Sequence, residues 1–328
     1  MSARRRKKRL ELTPKQTVLS ILGVAAAFLV VVLLNEAIGS SLPVPSVAEV
    51  QSWVDDLSAR TGLTPAPVEV EGKVAVHFID VGQGDCELIQ TESQNVLVDA
   101  GNPGDEDQIA AYLNAQQVDR IDLLIATHPH ADHIGGMEGI VQQFEIGQVL
   151  FSPLPDSLIP TTRTYEELLD AIASKGLSIT PSSPGMTFDL GEGAQITILG
   201  PVGEFDDLNN ASIVFRLDFG DTGFLFTGDA EAPSEDAILE RFGTDPLQAQ
   251  VLKLGHHGSD TSSQEKWLNA VSPTLAVAEV GYDNSYGHPS PQTLERLAVR
   301  QIQLLRTDQN GTIVVVSDGE SLSISTEK

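Results

Sequence analysis

The chain has 328 residues, 41% of them hydrophobic, enough for one large domain or two of ordinary size. Its formal net charge of −26 is unevenly spread: residues 1–16 hold seven basic groups and one acid, so the remainder carries 13 basic against 45 acidic side chains. That balance excludes a body that coats nucleic acid by general electrostatics, and a single cysteine, Cys86, excludes an intrachain disulfide framework.

The basic groups Arg4, Arg5, Arg6, Lys7, Lys8, Arg9 and Lys15 precede the uncharged, proline-free run "VLSILGVAAAFLVVVLL" over 18–34. A run of this length is about enough to cross a hydrocarbon core when slightly tilted or extended by a residue or two. We read 17–35 as a transmembrane signal anchor. Because basic flanks stay inside, 1–16 becomes a cytoplasmic tail and the bulk of the chain is extracytoplasmic, tethered to the cell membrane by a single pass. A cleaved signal peptide is the competing reading, but the apolar run is long for one and no clear A-x-A site follows "NEAIGSS". Residues 36–72 read as a linker. Within it, Val47, Val50, Val54 and Leu57 at helical spacing after Ser46 predict a short helix. The folded domain is expected over 73–328.

In that domain the patterns predict strands over 74–79, 86–90, 95–98, 121–127, 148–151, 195–199, 213–219, 223–227, 250–254, 275–280, 303–306 and 312–316. Helices are predicted over about 105–117, 132–143, 164–175, 233–242, 262–271 and 291–300. Strands come in pairs as well as singly with helices. This predicts an α/β fold whose sheets have antiparallel parts and are covered by helices. Cys86 opens an apolar strand-like run and reads as a packed thiol, and His77 in "VAVHFI" reads as a core group.

The other six of seven histidines sit at strand-end turns. "ATHPHADHIGG" places His128, His130, Asp132 and His133 within six positions, directly after the apolar run "IDLLIA". His128 and His130, two apart in an extended turn, point the same way. Asp132 and His133 open the next helix and address a second point nearby. Asp229 ends "FLFTGD", His256 and His257 follow "VLKLG", and His288 lies in "YDNSYGHPSP". Imidazole and carboxylate together are the ligand set of zinc or manganese.

These motifs resemble the metallo-β-lactamase superfamily, whose HxHxDH signature matches "THPHADH". The stretches "FIDVGQGD", "NVLVDAG", "NNASIVFRL", "LFTGDAE", "VLKLGHHGSDTSS", "NSYGHPSPQTLERL" and "RTDQNGTIVV" follow in the order seen in the extracellular hydrolase-like domain of the ComEC family of DNA-uptake proteins. The likeness covers nearly all of 74–317. It implies an αββα sandwich with the metal site at the sheet edges. ComEC proteins also carry a multi-spanning channel region, whereas one candidate span is found here. The chain is therefore expected to be the hydrolase domain on a tether, and a conduit role is not inherited.

The order of ligands also resembles the phosphorylcholine esterases of the same superfamily. Read in that order, His128, His130 and His257 hold one ion, Asp132, His133 and His288 a second, and Asp229 bridges them. Either His256 or His257 can be the ligand; we take His257, leaving His256 to protonate the leaving group or to bind a phosphoryl oxygen. Two divalent ions about 4 Å apart can activate water near neutral pH and clamp a phosphodiester, and Asp132 would orient the nucleophile. Asp99 reads as a carboxylate that fixes a ligand histidine from behind. Asp80 and Asp85 read as groups that orient ligands or hold the "DVGQGD" turn. The expected function is a dinuclear metal-dependent phosphodiesterase or nuclease acting on DNA. The alternatives are a small-substrate phosphodiesterase, which the acidic body favours, and a non-catalytic, metal-stabilised partner of a DNA-uptake or envelope complex.

Overall fold

The computed structural model describes residues 67–328. The expected tail over 1–16, the anchor over 17–35 and the linker helix lie outside the described residues. Among those described, no helix is long and apolar enough to cross a membrane.

In chain order the strands are β1 (Val74–Phe78), β2 (Glu87–Gln90), β3 (Asn95–Val98), β4 (Arg120–Ala126), β5 (Glu145–Phe151), β6 (Ile179–Pro181), β7 (Thr187–Gly191), β8 (Ala194–Gly200), β9 (Val214–Phe219), β10 (Thr222–Phe226), β11 (Val251–Lys253), β12 (Leu275–Ala278), β13 (Gln303–Arg306), β14 (Ile313–Ser317) and β15 (Leu322–Thr326). They form one sheet of order β15-β14-β1-β2-β3-β4-β5-β6 and a second of order β13-β12-β11-β10-β9-β8-β7. The helices are α1 (Glu106–Ala115), α2 (Ala131–Ile134), α3 (Met137–Gln143), α4 (Arg163–Ser174), α5 (Ala232–Phe242), α6 (Glu265–Val271), α7 (Pro291–Val299) and α8 (Thr307–Asn310).

Alternation along the strands builds the layers, because successive side chains leave a strand on opposite faces. On β10, Phe224 and Phe226 point between the sheets and Leu225 points outward; on β12, Leu275 and Val277 point inward and Ala276 and Ala278 outward. Phe226 stacks on Phe215 with ring centroids 4.5 Å apart, at the heart of this inner layer. Ile109, Leu113, Ile140, Leu168 and Ile172 of α1, α3 and α4 cover the outer face of the first sheet. Ile238, Trp267, Leu268 and Leu297 of α5, α6 and α7 cover that of the second. The three apolar clusters make four layers, the expected αββα sandwich.

The predicted mixture of pairings is also present. Strands β1, β2 and β3 pair antiparallel, and β3 to β6 pair in parallel. In the second sheet β10, β11, β12 and β13 are parallel. Parallel strands end at one edge of a sheet, so the turns after β3, β4, β10, β11 and β12 gather there.

The helix predicted over 132–143 is instead two helices, α2 and α3, parted at Gly135-Gly136. The backbone of 100–103 passes against this point: the amide of Gly135 donates to Gly101 O at 2.8 Å and that of Gly136 to Ala100 O at 2.9 Å. A side chain on Gly135 would run into the backbone of Asn102, Pro103 and Ala131. Gly135→Ala is therefore expected to lower stability by about 1–3 kcal/mol, the scale of overpacking, read as a lower urea midpoint with unchanged slope. Strands β6, β7 and β15 are additional to the expected set. They are short edge strands, and the apolar alternation of Phe188 with Leu190 in β7 and of Leu322 with Ile324 in β15 spans only two positions each.

His77 is a core group: it is fully buried, its Nδ1 lies 2.8 Å from the Tyr112 hydroxyl, and burial pushes its pKa down to about 3. Cys86 is fully buried, and burial pushes its thiol well above the usual range, so it is a packed thiol as expected.

Candidate metal centre

The two sheets meet at the edge where β4 and β10 end, tied by the amide of Ile213 donating to Thr127 O at 2.9 Å. The turn after β4 brings His128, His130, Asp132 and His133. The turns after β10, β11 and β12 bring Asp229, then His256 and His257, then His288. All eight positions read from the sequence face one region. A cleft of about 310 Å³ is lined by His130, Asp132, Asp229, His256, His257 and His288, together with Gln83, Ala131, Asn209 and Tyr286.

Asp229 stands at the middle of this region. One oxygen, Oδ2, lies 3.7 Å from His128 Nε2 and 3.8 Å from His256 Nε2. The other, Oδ1, lies 3.3 Å from His133 Nε2 and 3.8 Å from His257 Nε2. His128, His130 and Asp229 each offer a ligand atom within 4.8 Å of the others, and so do Asp132, His133 and His257. His257 thus stands with Asp132 and His133, its Nε2 3.3 Å from Asp132 Oδ2, rather than with His128 and His130 as the sequence order suggested. His256 takes the opposite side. Both residues have left-handed backbones, φ 49° and 54°, a conformation costly for bulky side chains. That turn sends two adjacent rings to the two sides of one carboxylate. His288 stands further off, with ring centroids 5.4 Å from His256 and 6.5 Å from His257.

Four of the imidazoles are held from behind, whereas His130 Nδ1 lies 2.9 Å from His128 Nε2 and His288 Nδ1 has no hydrogen-bond partner. Asp99 accepts from His133 Nδ1 at 2.7 Å, and from the Thr127 amide at 2.8 Å and hydroxyl at 2.6 Å, as expected of it. Glu231 accepts from His256 Nδ1 at 3.0 Å. His257 Nδ1 lies 3.1 Å from Asp85 Oδ1 and 2.9 Å from Glu279 O. Ser212 Oγ lies 3.2 Å from His128 Nδ1 and accepts the Asp229 amide at 3.1 Å. Asp85 is the orienting group that the sequence suggests; Glu231, Glu279 and Lys253 are additional to the residues the motifs mark. The signal for the last two was available: each is a charged residue inside an apolar strand run, in "VLKLG" and "AVAEVG".

The buried atoms His133 Nε2, His257 Nε2 and Asp229 Oδ1 have no hydrogen-bond partner, although they face one another. Buried polar atoms of this kind need a partner, and the donor set fits a divalent ion. The electrostatics agree. Burial opposes charge on His133, but Asp229, Asp85 and Asp99 outweigh it and hold its pKa well above the ordinary value. Burial likewise opposes charge on His257, and Asp229, Asp85 and Asp132 carry its pKa up to about 10. The carboxylates therefore favour positive charge at this point. On the other side burial lowers the pKa of His128 and of His130, leaving neutral rings with lone pairs to give.

The sequence profile of the metallo-beta-lactamase superfamily matches residues 79–278, which contain His128 to His133, Asp229, His256 and His257. The chain belongs to the metallo-beta-lactamase superfamily. Among curated members, "ComE operon protein 3" of Bacillus subtilis is 31% identical over 259 residues, covering 73% of this chain and 32% of that protein. "Competence protein ComA" of Neisseria gonorrhoeae is 32% identical over 245 residues, covering 74% of this chain and 32% of that protein. The chain thus spans about a third of the length of these ComEC-like relatives. The site lies at the rim where the two sheets meet, with the His256–His257 pair divided across one aspartate.

Proposed function

We propose that the chain is a membrane-tethered, extracytoplasmic hydrolase that uses two divalent ions to cleave phosphodiesters, with DNA as the foremost substrate. The observation that carries this reading is the division of Asp229, one oxygen to each of two ligand groups. His128, His130 and His256 would hold one ion and Asp132, His133 and His257 the other, with Asp229 shared. Zinc and manganese both suit such donors. Two such ions, when bound, supply Lewis-acid polarisation of a phosphoryl oxygen and a lowered pKa for a nearby water.

The residues of the chain do the rest. Asp132 opens to the cleft and orients the attacking water. Glu231, on Nδ1 of His256, fixes that ring with Nε2 toward Asp229. This supports His256 as a ligand over the proton donor expected from the sequence, and the greater distance of His288 supports a place in the cleft wall over the expected ligand role. Asn209, Tyr286 and His288 form the wall against which the scissile phosphate and its neighbours rest. Resemblance to DNA-uptake proteins supports DNA. A second reading, a small phosphodiester, is favoured by the cleft itself, which has no lysine or arginine among its lining residues.

The test pairs elemental analysis of the full-length chain with turnover of single-stranded DNA and of a nitrophenyl phosphodiester. Two ions per chain and turnover lost to a chelator and restored by zinc or manganese are expected. Metal-replete protein that cleaves neither DNA, RNA nor the small diester would leave the non-catalytic partner as the better reading. The His256–His257 pair gives a sharper result. Each single alanine variant should retain about one ion and lose on the order of 10²–10³-fold in turnover, the scale of losing one fixed charge stabiliser. If one variant keeps both ions, that histidine is not a ligand.

A further inference from the structure

Lys253 ends β11 and is fully buried. Its ammonium donates to Asp85 Oδ2 at 2.6 Å and to Leu254 O at 3.2 Å, and lies 3.9 Å from Glu279 Oε2. Taking an ammonium out of water is costly, and only close anionic partners offset it. Its strand neighbours Val251 and Leu252 are apolar and buried. An apolar residue would pack there but leave the buried Asp85 without its cation, so the lysine answers to that charge and not to packing.

Asp85 connects the lysine to the metal centre. Its two oxygens are divided: Oδ2 receives Lys253, and Oδ1 lies 3.1 Å from His257 Nδ1. Glu279 O accepts the hydrogen bond from the same nitrogen, at 2.9 Å. That acceptor, with the Asp85 charge beside it, places a ring proton on Nδ1 and turns Nε2 toward Asp132 and Asp229. The Asp85 amide also donates to Asp132 O at 3.1 Å, so one residue ties His257 to the turn that carries Asp132.

We propose that Lys253 is a positioning residue for the ion held by Asp132, His133 and His257: it pins the carboxylate of Asp85, whose charge, beside the hydrogen bond to Glu279 O, holds the aim of His257. The inference rests on the ligand role proposed above for His257. Lys253 touches no ion and no substrate. Its shortest contact toward the centre is with Asp85.

The test is zinc binding to the full-length chain, measured by competition with a chromophoric chelator and by elemental analysis, in wild type, Lys253→Met and Lys253→Met/Asp85→Asn. The single substitution leaves the Asp85 carboxylate without its donor and free to turn from His257. Affinity for one of the two ions is expected to fall about 10–100-fold, the scale for losing a partner that orients a ligand, with the other ion unchanged. The double substitution removes the Lys253–Asp85 pair as a unit. The asparagine carbonyl still accepts from His257 Nδ1, and its amide is placed to donate to Glu279, whose oxygen lies within 4.8 Å of that of Asp85. Most of the lost affinity should return, even if Lys253→Met alone fails to fold. A lysine with a structural role only gives another pattern: both variants melt lower and bind both ions as wild type does, which overturns the inference. So does a folded double variant that shows no recovery. Wild-type protein without a second ion removes the two-ion reading and the inference together. Two ions in wild type and two equally tight ions in Lys253→Met remove the inference alone.

Discussion

Asp229→Asn is expected to lose both ions and on the order of 10³-fold or more in turnover. The amide carries no charge, and its nitrogen must face one of the two ligand groups. The group that receives it loses a donor outright, and the other loses half of a charged carboxylate. Burial alone would push this carboxyl up, but the imidazoles of His133, His257 and His128 outweigh burial and hold it well below the usual range. The charge is thus present before any ion arrives, and the site attracts a cation instead of having to form around one. The fold should persist, because the Asp229 amide still donates to Ser212 and the Ala230 amide to Thr227 O. Elemental analysis and initial rates at saturating metal check this. One ion retained with a tenth of the activity would show that Asp229 serves one side only.

Asp99→Ala is expected to cost about 3–5 kcal/mol, the range for breaking a buried charged partner. Asp99 is fully buried and accepts three hydrogen bonds, from the amide and hydroxyl of Thr127 and from His133 Nδ1. Its removal orphans three buried donors at once, and each carries a desolvation cost. The backbone at this position is left-handed, φ 54°, so alanine gains nothing there by way of strain relief. Urea unfolding in the presence of a chelator isolates this cost from any lost metal. A change below about 1 kcal/mol would falsify the assignment of Asp99 as the support of the β4 turn. Asp99→Asn keeps one acceptor oxygen and should cost less than alanine by the same measurement.

What the sequence by itself determined is local or periodic. The short continuous apolar runs of strands such as β10 and β12 marked strands buried on both faces, because both faces of a sheet covered by other layers need apolar side chains. The crowding of His128, His130, Asp132 and His133 in one turn marked a metal centre, because residues so close on the chain cannot point far apart. The placing of Asp229, His256, His257 and His288 after apolar runs marked the edge to which parallel strands would bring them. Asp99 was legible for the same reason.

The tertiary structure alone decided the rest. Which side of Asp229 receives His256 and which His257 depends on two left-handed backbone conformations, and these are set by contacts of the turn with Gly228 O and with Ser290, not by the spacing of the histidines. The break between α2 and α3 follows from the passage of 100–103 against Gly135. The edge strands β6, β7 and β15 exist because β5, β8 and β14 present backbone groups to pair with them, and in β7 and β15 the apolar alternation covers only two positions each. The partners of the ligand rings come from far along the chain: Lys253 meets Asp85 across 168 positions and Glu231 meets His256 across 25. A buried charge must find its counter-charge in space, and sequence order does not encode that distance. The metal centre is therefore announced by a local motif but completed by non-local ion pairs.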